Sequence, residues 1–152
     1  MTPHSASHTT FVIQRQFQAS LKRVWRAFAD PQAKRQWFTC SDDMRSTEHT
    51  LDFRPGGHEL SRITAPDGEH RFDARYLDII PERRIIYAYA MQVNAIRLSA
   101  SLATIEFAAH GPGTEMTFTE QVAFLDGHQR PEERIHGTEL GFDMLERWLG
   151  QV

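Results

Sequence analysis

The chain has 152 residues, 40% hydrophobic and 24% charged, with a formal net charge of −3 and a single cysteine. That length suits one domain able to bury a core without metals or disulfides. The charge gives no support to nucleic-acid binding, and the lone Cys40 excludes an internal disulfide and suits a reducing cytoplasm. No run approaches the roughly 20 apolar residues of a membrane span, and the opening MTPHSASHTT lacks the basic and apolar regions of a secretory leader. Residues 1–9, with His4 and His8, read as a frayed tail, and 10–152 as a single domain.

In chain order, Phe11, Ile13 and Phe17 alternate with Val12, Gln14 and Gln16 as in a half-buried strand, with Arg15 interrupting the apolar side. Ser20 is placed to cap a helix in which Leu21, Val24, Trp25, Phe28 and Ala29 hold helical spacing. Asp30-Pro31 ends that helix and opens a second, short one reaching Trp37-Phe38. Strands are then expected near 44–54, 58–64, 71–80, 84–91, 97–109 and 114–124. They are separated by Pro55-Gly56-Gly57, Pro66-Asp67-Gly68, Pro81-Glu82 and His110-Gly111-Pro112-Gly113. Such short connections imply an antiparallel meander.

The closing stretch from Pro131 to Leu149 has proline at a first helical position and Glu132 and Glu133 in the first turn, where the helix dipole favours them. Ile135, Phe142, Leu145 and Leu149 form a stripe that Leu140, Met144 and Trp148 widen, and Gly150 follows as a cap. A helix with so broad an apolar face should lie inside a curled sheet. Gly137 and Gly141 share one face of it, each costing roughly 1 kcal/mol against alanine. Close packing of a backbone, or room for a guest molecule, would offset that.

Five segments carry a resemblance: ASLKRVWRAFADPQAKRQWF at 19–38, DFRPGGHE at 52–59, APDGE at 65–69, YLDIIPERRIIYAY at 76–89 and SLATIEFAAHGPGTEMTFTEQVAFLDG at 101–127. In this order they resemble the SRPBCC superfamily of START domains and birch-pollen-allergen-like proteins, and within it the Aha-type domain named after the activator of the heat-shock-protein-90 ATPase. The SLATIEF and TFTEQ stretches resemble a bacterial subgroup described as polyketide-cyclase-like or ATPase-activator-like. The resemblance implies an α+β helix-grip fold, β-α-α-β6-α, with a curled antiparallel sheet around the C-terminal helix and a cavity between them. Where the family often has Gly-Trp in the last helix this chain has Gly141-Phe142, whose ring is expected to keep the cavity-wall role. Family membership alone does not give function.

Alternation along each strand selects the inward residues: Phe72, Ala74 and Tyr76; Tyr87, Tyr89 and Met91; Ser101, Ala103, Ile105 and Phe107; Met116, Phe118, Glu120 and Val122. Plain core and a small-molecule lining look alike at this level. Glu120 continues an apolar face, so it needs a cation, a hydrogen-bond partner or a raised pKa. Arg54 and Arg97 are the cations expected near it, with Arg15 a third. The structural reading of Glu120 is a buried ion pair fixing strand register, and its functional reading a ligand-orienting or acid/base carboxylate, which makes it the candidate catalytic group. The candidate ligand contacts are Trp37, Phe38, Arg54, Phe72, Tyr76, Tyr87, Tyr89, Met91, Arg97, Ser101, Phe118, Glu120, Gly141, Phe142 and Leu145.

His49, His58, His70, His110, His128 and His136 have no metal-ligand spacing and read as solvated, and Cys40 has no catalytic partner at a recognised spacing. No phosphate-binding glycine loop is present, so neither a nucleotide, another cofactor nor a metal is expected. The leading expectation is a cytoplasmic, non-catalytic binder of a hydrophobic or aromatic small molecule, lipids included. A polyketide-cyclase-like enzyme with Glu120 as acid/base, and a chaperone-associated or homodimeric interaction module, are its rivals.

Overall fold

The computed structural model describes residues 4–38 and 43–151, so Cys40 lies outside the described residues. The chain runs β1 (Ala6–Phe17), α1 (Leu21–Ala29), α2 (Pro31–Trp37), β2 (Arg45–Leu51), β3 (His58–Ala65), β4 (Gly68–Ile80), β5 (Arg84–Val93), β6 (Ile96–His110), β7 (Gly113–Leu125) and α3 (Pro131–Leu149). The strands form one curled antiparallel sheet in the order β1-β7-β6-β5-β4-β3-β2. This is the helix-grip arrangement. β1 begins at Ala6, inside the segment read as a tail, because Ala6 to Thr10 pair with Leu125 to Gln121 of β7. Backbone pairing orders those residues although their side chains are mostly polar.

Alternation holds through the sheet. Phe72, Ala74 and Tyr76 are buried, as are Tyr87 and Tyr89, Ser101 to Phe107 at every second position, and Met116, Phe118, Glu120 and Val122. One cross-strand row on this face joins Phe11, Glu120, Ala103, Tyr87 and Tyr76. Immediately beyond it, β4 bulges between Tyr76 and Asp78. The β2–β3 connection is pinned there: Tyr76 N–H donates to the Gly57 carbonyl at 2.9 Å, and Gly56 N–H to the Tyr76 carbonyl at 2.7 Å. A Cβ on Gly57 would collide with the Asp52 carbonyl oxygen, so only glycine lets the loop approach.

The helices cover the concave face from two sides. Ser20 caps α1 by accepting from Arg23 N–H at 3.3 Å, and Asp30 caps α2 by accepting from Gln32 N–H at 3.0 Å. Trp25 and Phe28 of α1 set their rings edge-on against Phe107 of β6, at 5.4 and 5.5 Å between centroids. On the other side α3 crosses the sheet, with Phe142 against Phe118 at 5.3 Å and Asp143 paired to Arg15 of β1 at 2.8 Å.

The apolar stripe of α3 is narrower than its composition implies. Phe142, Leu145 and Leu149 are buried, Met144 and Trp148 are half-buried, and Leu140 points to solvent at 46% exposure. Nor does a backbone pack against its glycines: a Cβ on Gly137 or Gly141 would meet nothing within 4 Å. Gly137 is exposed and Gly141 half-buried, so open space lies beside both. Gly137→Ala is therefore expected to stabilise the protein by about 1 kcal/mol through helix propensity, whereas Gly57→Ala should destabilise it by more than that. Urea unfolding of the two variants checks both signs.

Candidate functional site

Glu120 points inward from β7 and is 1% exposed. Three donors converge on its Oε2: Arg134 Nη1 at 2.9 Å, Tyr89 Oη at 2.7 Å and Ser101 Oγ at 2.8 Å. Arg134 extends from the first turn of α3, donates through Nη2 to Ser99 Oγ at 2.6 Å, and lies over the rings of Phe124 and Tyr89. One ion pair thus ties α3 to β5, β6 and β7. The other oxygen, Oε1, is buried with no hydrogen-bond partner. An acceptor left in that state calls for a donor.

A second charged cluster sits under α2. Glu59 of β3 is fully buried; its Oε1 accepts from Lys34 Nζ and Tyr76 Oη, each at 2.7 Å, and its Oε2 meets His49 Nε2 at 2.8 Å. Burial alone would raise the Glu59 pKa, but the Lys34 charge and the hydrogen bonds from His49, Lys34 and Tyr76 outweigh it and hold the carboxyl at about 2. The carboxylate can only accept, so His49 Nε2 carries the hydrogen, which in a neutral imidazole leaves Nδ1 as the acceptor. Lys34 already balances the Glu59 charge. Nδ1 of His49 is buried without a partner, as is Oγ of Ser61, the residue directly opposite His49 in the β2–β3 register.

An aromatic floor connects the clusters. The Phe38 ring is 6.2 Å from His49 and 5.2 Å from Phe72; Phe72 is 4.8 Å from Tyr89, which reaches Glu120. Tyr87 lies 5.7 Å from Tyr76 and 5.8 Å from Tyr89. Phe72, Tyr87 and Tyr89 each retain 9% exposure, while Met116 and Ile105 keep 0% and 2%. Met91, Phe38 and Arg134 are half-buried.

Several candidates fall elsewhere. Arg54 pairs with the exposed Asp52 at 2.8 Å, Arg97 is exposed, and Arg15 is engaged by Asp143 and the Glu139 carbonyl, so none of the three cations serves Glu120. Trp37 is core: its ring packs on Phe28 and its N–H donates to the Ala27 carbonyl at 2.9 Å. Tyr76 belongs to the Glu59 cluster. Phe118 of β7 and Phe142 and Leu145 of α3 belong to the packed core between sheet and helix, with the half-buried Gly141 beside them. His49, read as solvated, is buried, because its ring is held by Glu59.

Arg134, Ser99, Lys34, His49, Glu59 and Ser61 are the polar residues that sequence reasoning missed. For Arg134 a signal existed, since Arg134, Thr138, Gly141 and Leu145 recur at helical spacing on one face.

Two surface clefts, of about 580 and 490 Å³, lie on the rim. The first is bounded by Leu21, Arg83, Arg84, Glu106 and Glu115, the second by Gln18, Arg23, Glu146 and Leu149. Neither is lined by a member of the two clusters or by an unpartnered buried polar atom. Among the described residues no group of three or more His, Cys, Asp or Glu side chains is placed to hold a metal ion.

The clusters make pH-dependent predictions. The chain's 3 tyrosines are Tyr76, Tyr87 and Tyr89, and all are buried. Burial raises each phenol's pKa above the ordinary 10.0, with the Glu59 carboxylate adding to the effect at Tyr76 and the Glu120 carboxylate at Tyr87 and Tyr89. The folded state then keeps protons that the unfolded state releases, so stability falls as pH rises beyond 10.0. Tyrosinate absorbance should appear only with unfolding, in one cooperative step. For Glu59 the sign is opposite: its contribution is fully present above 4.5 and is lost as pH falls towards about 2. Glu59→Gln, which strands Lys34, should cost about 3–5 kcal/mol in denaturant melts at neutral pH and flatten the acid limb of the stability curve.

Comparison with known proteins agrees with this architecture. No curated protein matches the chain. An uncharacterised protein from Rhizobium leguminosarum is 49% identical over 99% of this chain and 100% of its own, with a TM-score of 0.95. A Rhizobium loti protein is 40% identical over 95% of this chain and 99% of its own, with a TM-score of 0.87. One from Chromobacterium violaceum is 26% identical over 92% and 96%, at 0.74. The family model described as activator of Hsp90 ATPase homolog 1-like protein matches residues 18–150, and the chain belongs to that family.

Proposed function

We propose that the protein binds a small apolar or aromatic molecule on the concave face between the sheet and α3, without turning it over, and that Glu120 reads a hydrogen-bond donor on that molecule. The observation that carries this is the buried, unpartnered Oε1 of Glu120 beside the aromatic floor. Leaving such an acceptor unmade costs about 1–3 kcal/mol, which a ligand N–H or O–H recovers. Phe72, Tyr87, Tyr89 and Met91 supply apolar contact, Ser101 and Arg134 hold the carboxylate in place, and the space beside Gly141 gives the guest room. Affinity comes from the rings and orientation from Glu120.

The arginine within hydrogen-bond reach of Glu120 argues against a cyclase-like acid/base role, since a carboxylate held by an ion pair and two hydroxyls orients better than it exchanges protons. A chaperone or dimer interface gains little support. The large exposed apolar side chains, among them Val12, Leu77, Ile96 and Leu140, are spread over β1, β4, β6 and α3 rather than gathered on one element. Among the described residues no helix is long and apolar enough to cross a membrane, and a cytoplasmic setting suits the single cysteine.

Native mass spectrometry of the protein purified from cells, with a thermal-shift screen of fatty acids, flavonoids and polyketide-like aromatics, tests the proposal. A co-purifying small molecule or a saturable rise in melting temperature is expected. Methylating the ligand's hydroxyl should weaken binding about tenfold, the scale of one hydrogen bond to a charged group. Glu120→Gln should do the same in protein that circular dichroism shows to be folded, although it strands Arg134 and lowers stability. Equal affinity for hydroxyl and methoxy forms would return Glu120 to a purely structural role.

A further inference from the structure

The Glu59 cluster leaves Nδ1 of His49 and Oγ of Ser61 unused. The His49 side chain is 1% exposed and Ser61 is 0% exposed, and each presents an unpartnered polar atom on the same face, directly across the β2–β3 ladder. Glu59 fixes the imidazole through Nε2, so Nδ1 is aimed as an acceptor, while Ser61 Oγ can donate or accept. A hydroxyl attached to an apolar body fits the pair, donating to Nδ1 and accepting from Oγ.

We infer that His49 and Ser61 form a second polar subsite of the concave face, which takes a terminal hydroxyl of an elongated ligand whose other end donates to Glu120. The inference rests on the binding reading above and narrows it to a substrate class: rod-like, largely aromatic molecules with a hydroxyl at each end. The floor between the subsites is continuous, since Phe38 neighbours His49 at 6.2 Å and Phe72 at 5.2 Å, and Phe72 neighbours Tyr89 at 4.8 Å. Each of those steps matches the spacing of stacked or edge-on rings. Phe38 is half-buried at the end of α2, between His49 and Phe72 and with Lys34 Nζ 4.5 Å from its ring centroid.

The test is calorimetric titration of the intact protein with biphenyl, stilbene and diphenylbutadiene, each carrying no, one or two terminal para hydroxyls. Wild-type protein is expected to bind mono-hydroxylated probes more tightly than unsubstituted ones through Glu120. At one scaffold length, a second hydroxyl should then tighten binding about tenfold, one hydrogen-bonded group's worth. Ser61→Ala, which removes a buried unpaired oxygen and should fold, is expected to abolish the second increment. A second hydroxyl without effect at every length, or an increment that survives Ser61→Ala, overturns the subsite while leaving the Glu120 reading standing. No gain from the first hydroxyl, or no binding of any probe, overturns the Glu120 reading and this one with it. A crystal structure of the diphenol complex in which a water, and not the ligand, bridges His49 and Ser61 would also overturn the subsite.

Discussion

The contact on which the rest depends is the ion pair between Glu120 and Arg134. It is buried, it joins the middle of β7 to the first turn of α3, and it draws Tyr89, Ser99 and Ser101 from the two strands beyond. A pair of this kind adds little net stability over an apolar replacement, because both charges leave water. Its value is geometric. It sets where α3 crosses the sheet, and it leaves one carboxylate oxygen with no use inside the protein.

The same logic repeats under α2, where Lys34 and Glu59 pair and His49 and Tyr76 complete the shell. Two charged clusters, one beneath each side of the helical cover, bracket a stretch of buried rings on the concave face. Each cluster has surplus hydrogen-bonding capacity facing inward, at Glu120 Oε1 and at His49 Nδ1 with Ser61 Oγ. A core built only for stability would fill such positions with apolar side chains. Rigid walls with unspent polar atoms are what a small-molecule site needs.

The fold was legible because its signals are local. Proline, glycine and aspartate punctuate the strands, period-two alternation sorts their faces, and the caps of α1 and α2 stand in sequence as Ser20 and Asp30-Pro31. Glu120 was legible for the same reason, lying in register with Met116 and Phe118. Arg134 was hidden because a stripe read from apolar residues stops at Ile135, although the geometric stripe continues one residue further. β3 was harder. Its inward positions include Glu59 and Ser61 while Leu60 faces out, so alternation points the wrong way. β2 offers no apolar period around His49, and α2 has 7 residues, too few to show which face carries Lys34. Those residues are assembled by tertiary register between β2, β3 and α2, which no local pattern encodes.

The central claim is that a ligand donor completes the hydrogen bonding of Glu120 on the concave face. A crystal structure of the protein with the ligand it retains from cells, or with the tightest binder from a screen, tests this most directly. The account predicts density along Phe72, Tyr87 and Tyr89, with an N–H or O–H of the ligand at hydrogen-bond distance from Glu120 Oε1 and the Arg134 pair undisturbed. A ligand seated instead in the rim cleft at Arg83 and Arg84, with the concave face closed over Glu120, would contradict it.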